Sequence, residues 1–442
     1  MQPININSVV KNENDRDKWF KHGIWAYFLL LIFEGALRKW FLPGLATPLL
    51  VIRDPIAIWL VYTSWKRGIL PSSIYLKVIL VLGIMGIYTA VFIGHGNVWV
   101  ALYGARILLF HFPLIFVIGQ VFNREDIIKM GKVTLYIAIP MIVLIYLQFK
   151  SPQSDWVNRG VGGDMAGAGF SGSGDFLRPP GTFSFTNGTS LYFGWLAPFV
   201  FYFWLNSKKV NKVLLIAASV AMISSIPISI SRTLFFEVCL TMAFTLMVAL
   251  RKPEYIGKVL IAVIAGGIVL ALLSQTSFFK TASGAFTDRF DSANEQEGGL
   301  VKGVLIDRVL GGLVTALVGS ANQPFFGFGL GMGTNVGSML LSGKQTFLIS
   351  EAEWGRLIGE MGPLMGLGVI FVRVGLTLKF AAASYRKMVI GDSLPWLLLS
   401  FAFINVSQGQ WAQPTSLGFS TLIGGLLLAS LKNDEESFQP IS

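Results

Sequence analysis

The chain has 442 residues, of which 53% are hydrophobic and only 13% charged, and its mean hydropathy is +0.63. Soluble domains carry about 25% charged residues, so a wholly water-exposed surface is excluded and one that mostly faces lipid is implied. The net charge of +11 is assigned to basic cytoplasmic connections rather than to nucleic-acid binding, and the single cysteine, Cys239, excludes an intrachain disulfide and a cysteine zinc site.

The segment Met1 to Lys21 is polar and lacks the short apolar core and small-residue cleavage site of a removable signal peptide, so the first apolar run is expected to remain as an anchor. A crossing helix needs about 20 mostly apolar residues. On that measure about twelve transmembrane helices are predicted, near 23–42, 46–65, 74–93, 98–121, 131–149, 189–206, 213–230, 234–250, 258–275, 352–378, 394–411 and 415–431. The expected fold class is an all-α polytopic membrane protein, one integral membrane domain over 1–442. Lys66, Arg67 and Lys77; Arg124, Lys129 and Lys132; Lys208, Lys209 and Lys212; Arg251, Lys252 and Lys258; and Arg386 and Lys387 fall in alternate connections. The positive-inside rule puts these segments and both termini in the cytoplasm.

Two connections on the other side are long. The first, 150–188, is a Gly-rich loop, and the second, 276–350, is larger. Leu305, Val309, Leu313 and Leu317 recur at helical spacing within 300–320, which predicts a helix on the membrane surface. Reading that helix as a thirteenth span would put Arg386 and Lys387 outside, against the charge rule.

Ionisable groups in hydrocarbon are costly unless paired or facing water. Glu34, Arg53, Asp54, Arg106, Arg232, Glu237 and Glu360 all fall in the outer halves of their predicted helices. They read either as ion pairs that lock the bundle, such as Glu34 with Arg53, or as the wall of a polar cavity opening away from the cytoplasm. Arg178, before a Pro-Gly turn, has the fork geometry for phosphate, or contacts lipid headgroups. Arg232 begins a span after a short turn, close enough to Glu237 for a pair of imperfect spacing. Arg308 precedes a run in which Gly327, Gly329, Gly331 and Gly333 alternate. Such a run presents backbone amides to phosphate or packs as a close turn; no Walker-type Lys-Ser or Lys-Thr follows it. Glu353, Arg356 and Glu360 share one helix face and can neutralise each other. Glu351 is a candidate general base if burial raises its pKa. The histidines are scattered, no metal motif is present, and neither metal nor cofactor is expected.

The stretches RPPGTFSFTNGTS, SRT at 231–233, and the run from Arg308 through QPFFGFGLGMGTN to EAEWGRLIGEMGPLMG resemble, in that order, the O-antigen ligase and polysaccharide polymerase superfamily of membrane glycosyltransferases. The resemblance covers roughly the second half of the chain. It implies a fold of the GT-C-like kind in a bacterial inner membrane, with about a dozen spans and a large extracytoplasmic loop. It implies a polyprenyl-diphosphate-linked glycan donor, a glycan acceptor and membrane lipids as partners, alongside other polysaccharide-assembly proteins. Arg178, Arg232 and Arg308 would hold the diphosphate. Glu351 and Ala352 stand where family ligases carry a His-Asn pair, which favours polymerisation over ligation, with Glu351 and Arg308 the catalytic candidates. Transport of a lipid-linked substrate is the competing class.

Overall fold

The computed structural model describes residues 6–173, 176–297, 318, 323–344 and 348–432. The chain is an all-α membrane protein. Among the described residues, eight helices are long and apolar enough to cross a membrane: Lys18–Phe41, Pro43–Lys66, Ile74–Phe92, Val98–Val121, Arg124–Lys150, Arg232–Arg251, Pro253–Leu273 and Glu353–Val389. Shorter apolar helices run over Lys212–Ile228, Leu394–Ser407 and Pro414–Ser430. Asn187–Leu205 is buried along nearly its whole length, as expected of a helix apolar on all faces at the centre of a bundle. Its Trp195 Nε1 and Tyr192 hydroxyl both reach Thr134, donating to Oγ1 at 3.1 Å and to the carbonyl at 2.8 Å.

The basic connections gather at one end. Lys21 pairs with Asp126 at 2.7 Å, and Arg124 grips both oxygens of Asp392 at 2.6 Å. Lys258 Nζ donates to the Leu205 carbonyl, and Lys432 Nζ to the Gln120 carbonyl. Burial, reinforced by Lys21 and opposed by Asp126, pushes Lys432 down to about 8 from an ordinary 10.5. Between those values the unfolded chain binds more protons than the folded one, so stability rises with pH there. Thermal midpoints recorded between pH 7.5 and 10.5 should climb in the wild type and climb less in Lys432→Met.

The opposite end carries what the sequence leaves as loops. Residues 150–188 contain a short antiparallel hairpin, Phe170–Ser173 with Phe176–Arg178. The first part of 276–350 is a helix, Ser277–Glu297, with Phe279, Ala282 and Ala285 buried on one side. The surface helix expected over 300–320 lies outside the described residues, apart from residue 318. Leu394–Ser407 has 14 residues and rises about 21 Å, short of the roughly 30 Å hydrocarbon core. The chain continues past it as irregular backbone over 408–413, which membrane proteins tolerate only where protein satisfies it.

Candidate functional site

The hairpin is tied to two other elements. Arg178 lies over the Phe170 ring, 5.4 Å from its centroid. From helix Ser277–Glu297, Arg289 Nη1 donates to the Gly172 carbonyl at 2.7 Å. A Cβ at Gly172 would meet Ile230 Cδ1 at 2.9 Å, so the hairpin rests on the turn that leads into Arg232. In that turn Ile230 takes φ +48°, a left-handed conformation unusual for a β-branched residue. Ser231 Oγ then caps the helix by accepting from Leu234 N–H at 3.2 Å. Phe235 and Phe236 pack on Phe290, each at 6.2 Å. Arg178, Arg289 and the helix start at Arg232 therefore share one corner. Burial, then the nearby Arg289, lowers Arg178 to about 10, so it remains a cation at neutral pH. Two guanidiniums close enough to disfavour each other's charge make a corner suited to an anion.

The stretch after Arg178 docks onto the first helix. Gly35 leaves no room for a Cβ, which would lie 2.4 to 2.5 Å from the backbone of Thr182–Ser184. Thr182 Oγ1 donates to the Ile32 carbonyl at 2.6 Å, and Lys39 Nζ to Gly181 O at 2.6 Å. Arg38 Nη1 donates to Ser184 Oγ at 2.9 Å. Below this, Glu34 accepts from Arg38 at 3.3 Å and from Arg53 at 3.2 Å. Asp54 accepts from Arg106 at 2.7 Å and lies 2.9 Å from His111 Nε2, whose Nδ1 is 2.9 Å from the Tyr27 hydroxyl. Glu34, Arg53, Asp54 and Arg106 are thus one buried cluster, with Arg38, Lys39, Tyr27 and His111 added to it.

Glu360 belongs to a second cluster. Arg356 bonds Glu353 at 2.9 and 3.0 Å and Glu360 at 2.5 Å, and Arg373 bonds Glu353 at 2.6 Å. The Glu353–Arg356–Glu360 face neutralises itself, helped by Arg373 from about three turns beyond a break in the same helix. That break is at Gly362, φ +76° and ψ 170°, followed by Pro363. Pro363 has no N–H for the Gly359 carbonyl. Phe328 N–H takes that carbonyl at 2.8 Å, and Gly329 N–H takes Glu360 O at 2.9 Å. Gly333 N–H donates to the Glu360 carboxylate at 2.8 Å. The alternating glycines therefore commit these amides to the broken helix and form a close-packed plug, not a phosphate cradle.

The irregular segment 408–413 joins the two clusters. Arg373 donates to the Val406 and Gly409 carbonyls at 2.9 and 2.8 Å and lies 4.1 Å from the Trp411 ring centroid. Gln410 Nε2 donates to Glu351 O at 3.1 Å, and Gln413 Nε2 to Gln410 Oε1 at 2.8 Å. Asn187 Nδ2 donates to Gln413 Oε1, and Arg53 Nη2 to Pro414 O at 2.8 Å. A small cleft opens here, lined by Glu351, Gln410, Gln413, Asn335 and Arg356 among others. Glu351 is exposed at its mouth, not buried as the general-base expectation required.

Glu237 sits elsewhere in the bundle, buried, its carboxylate accepting from Asn405 Nδ2 at 3.3 Å. Arg308 lies outside the described residues. Among the described residues no group of three or more His, Cys, Asp or Glu is placed to hold a metal ion. Arg289, Arg373 and the Gln410–Gln413 segment escape a reading that weighs only charges in the outer halves of apolar runs and loop motifs. A polar QGQWAQ interruption between two apolar runs was the available signal for the last. No protein-family model matches the chain, and no curated protein matches it.

Proposed function

We propose that the protein is a metal-independent membrane glycosyltransferase that polymerises polyprenyl-diphosphate-linked glycan units at the extracytoplasmic face of a bacterial inner membrane. It crosses the membrane about twelve times, with both termini and the basic end in the cytoplasm. The observation that carries the reading is the corner where Arg178, Arg289 and the start of the Arg232 helix meet. Guanidiniums there would bind the diphosphate and stabilise the charge that builds on it as the glycosyl bond breaks. Arg308 would join them. Glu351, open to solvent at the Gln410–Gln413 cleft, would take the proton from the acceptor hydroxyl.

Arg178→Ala and Arg308→Ala, expressed in a host lacking its own copy, should each lower long-chain polysaccharide on the order of 10²-fold, the scale for losing one charge-stabilising donor. Gel analysis of the polymer with the protein level measured in parallel checks this. Unchanged long chains with the protein present would overturn the assignment. Ligation of the glycan to a lipid or protein acceptor uses the same donor site, and the acceptor-linked product would distinguish it.

One feature favours a second reading. A helix broken within the bundle, as at Gly362, is common where transporters bind substrate. Movement of a lipid-linked glycan across proteoliposomes without chemical change would support that class.

A further inference from the structure

The cluster built on the first four helices holds more positive charge than it neutralises. Arg38, Arg53 and Arg106 are each at most 8% exposed, and the carboxylates bonded to them are Glu34 and Asp54. His111 fits as a neutral ring, accepting from the Tyr27 hydroxyl at Nδ1 and donating from Nε2 to Asp54. Three guanidiniums against two carboxylates leave one positive charge in a place where charge is expensive. Among the described residues, three guanidinium nitrogens there are buried without a hydrogen bond of good geometry: Arg53 Nη1, Arg106 Nε and Arg106 Nη2.

The two on Arg106 matter most. Nε and Nη2 lie along one edge of the guanidinium plane, and their N–H bonds run parallel. That is the edge with which arginine grips two oxygens of one phosphate or carboxylate. The remaining nitrogen, Nη1, is held by Asp54 at 2.7 Å. The Tyr103 ring, 4.0 Å from Cζ, holds the plane. The fork is therefore aimed before any ligand arrives. Arg53, next to Asp54 in the chain, adds the third donor, its guanidinium 5.5 Å from the Tyr27 ring centroid.

The surroundings bear on what would enter. Arg38 Nε donates to the Ala46 carbonyl at 2.7 Å, so the cluster adjoins the turn over Pro43–Leu45. Around that turn Phe41, Leu42 and Leu45 are 68%, 43% and 50% exposed. An apolar rim beside a phosphate-shaped fork matches an amphiphile with a charged head.

We propose that Arg106 and Arg53 form a built phosphate site within the membrane bundle, distinct from the Arg178 corner. A phosphate ester would take the Nε–Nη2 edge of Arg106 and Nη1 of Arg53, with its chain over the Phe41–Leu45 turn. Its negative charge would offset the surplus. The site does not depend on whether the protein transfers sugars, because its readout is binding.

The purified full chain in detergent is titrated with phosphatidic acid, diacylglycerol and inorganic phosphate, following the thermal unfolding midpoint. The expected result is a dose-dependent rise with phosphatidic acid and none with diacylglycerol. Arg106→Lys keeps the charge and the reach to Asp54 but loses the two-nitrogen edge, and it should weaken binding at least tenfold. A rise with inorganic phosphate, also weakened in Arg106→Lys, would support the site and identify the free anion as its source. If Arg106→Lys does not fold, Tyr103→Leu, which frees the guanidinium plane, should weaken binding several-fold. No rise with either phosphate, or equal rises in wild type and the folded variant, would overturn the proposal.

Discussion

Glu353→Ala is expected to cost about 3–5 kcal/mol, the range for removing one partner of a buried ion pair. Glu353 is 3% exposed and takes three hydrogen bonds, two from Arg356 and one from Arg373. Without it, Arg356 keeps Glu360, whereas Arg373 keeps the Val406 and Gly409 carbonyls and the Trp411 face. Neutral oxygens solvate a guanidinium but do not cancel its charge, so a buried cation would be left over. Thermal unfolding in detergent, read by tryptophan fluorescence, checks this against Glu351→Ala. Glu351 is exposed and two residues away, and its removal should change stability by no more than about 0.5 kcal/mol. Glu353→Met combined with Arg373→Met should recover much of the loss, because an apolar pair in that volume leaves no orphaned charge. Equal midpoints for Glu353→Ala and Glu351→Ala would show that the cluster does not lock the helices.

The same cluster shows what a sequence can and cannot reveal. Glu353, Arg356 and Glu360 are three and four residues apart, so their shared face follows from helical geometry alone. Arg373 joins them only because the helix breaks at Gly362 and carries on, which spacing does not express. The apolar runs were legible because bilayer thickness fixes a length: a helix lies within each, and among the described residues eight are long and apolar enough to cross a membrane. Helix Ser277–Glu297 was not, because a search for long apolar runs passes over an amphipathic helix. Its Phe279, Ala282, Phe286 and Phe290 carry a helical spacing that was open to inspection, and Arg289 lay beside them unread. Asp54 and His111 meet across 57 positions of chain, a pairing no local pattern announces. Gln410 and Gln413 carry no charge, so weighing the cost of buried ions never touched them. The alternating glycines stand out, yet Gly329 gives its amide to the Glu360 carbonyl beside the Gly362–Pro363 break and Gly333 to the Glu360 carboxylate.

Gly362→Ala should be among the most damaging small substitutions, costing on the order of 3–5 kcal/mol from backbone strain and overpacking together. Its φ of +76° with ψ of 170° is a region open essentially to glycine alone. An added Cβ would stand 1.9 Å from the Phe325 carbonyl oxygen, a backbone atom with no rotamer to yield. Relief would require the plug to withdraw, and withdrawal would strand the Gly359 and Glu360 carbonyls that Phe328 and Gly329 now satisfy. Gly267→Ala is the control: it lies in helix Ile256–Leu273 with nothing within 4 Å of a new Cβ, so it should be neutral or slightly stabilising. Midpoints of the two variants in the same detergent decide the matter, and a gap under about 1 kcal/mol would mean that the break is not held by the plug. Function should fall further than stability. Gly333, at the end of the plug, and Asn335 just after it line the Glu351 cleft. Molecules of Gly362→Ala that remain folded would therefore have lost one wall of the cleft, and their activity per folded molecule should drop as well.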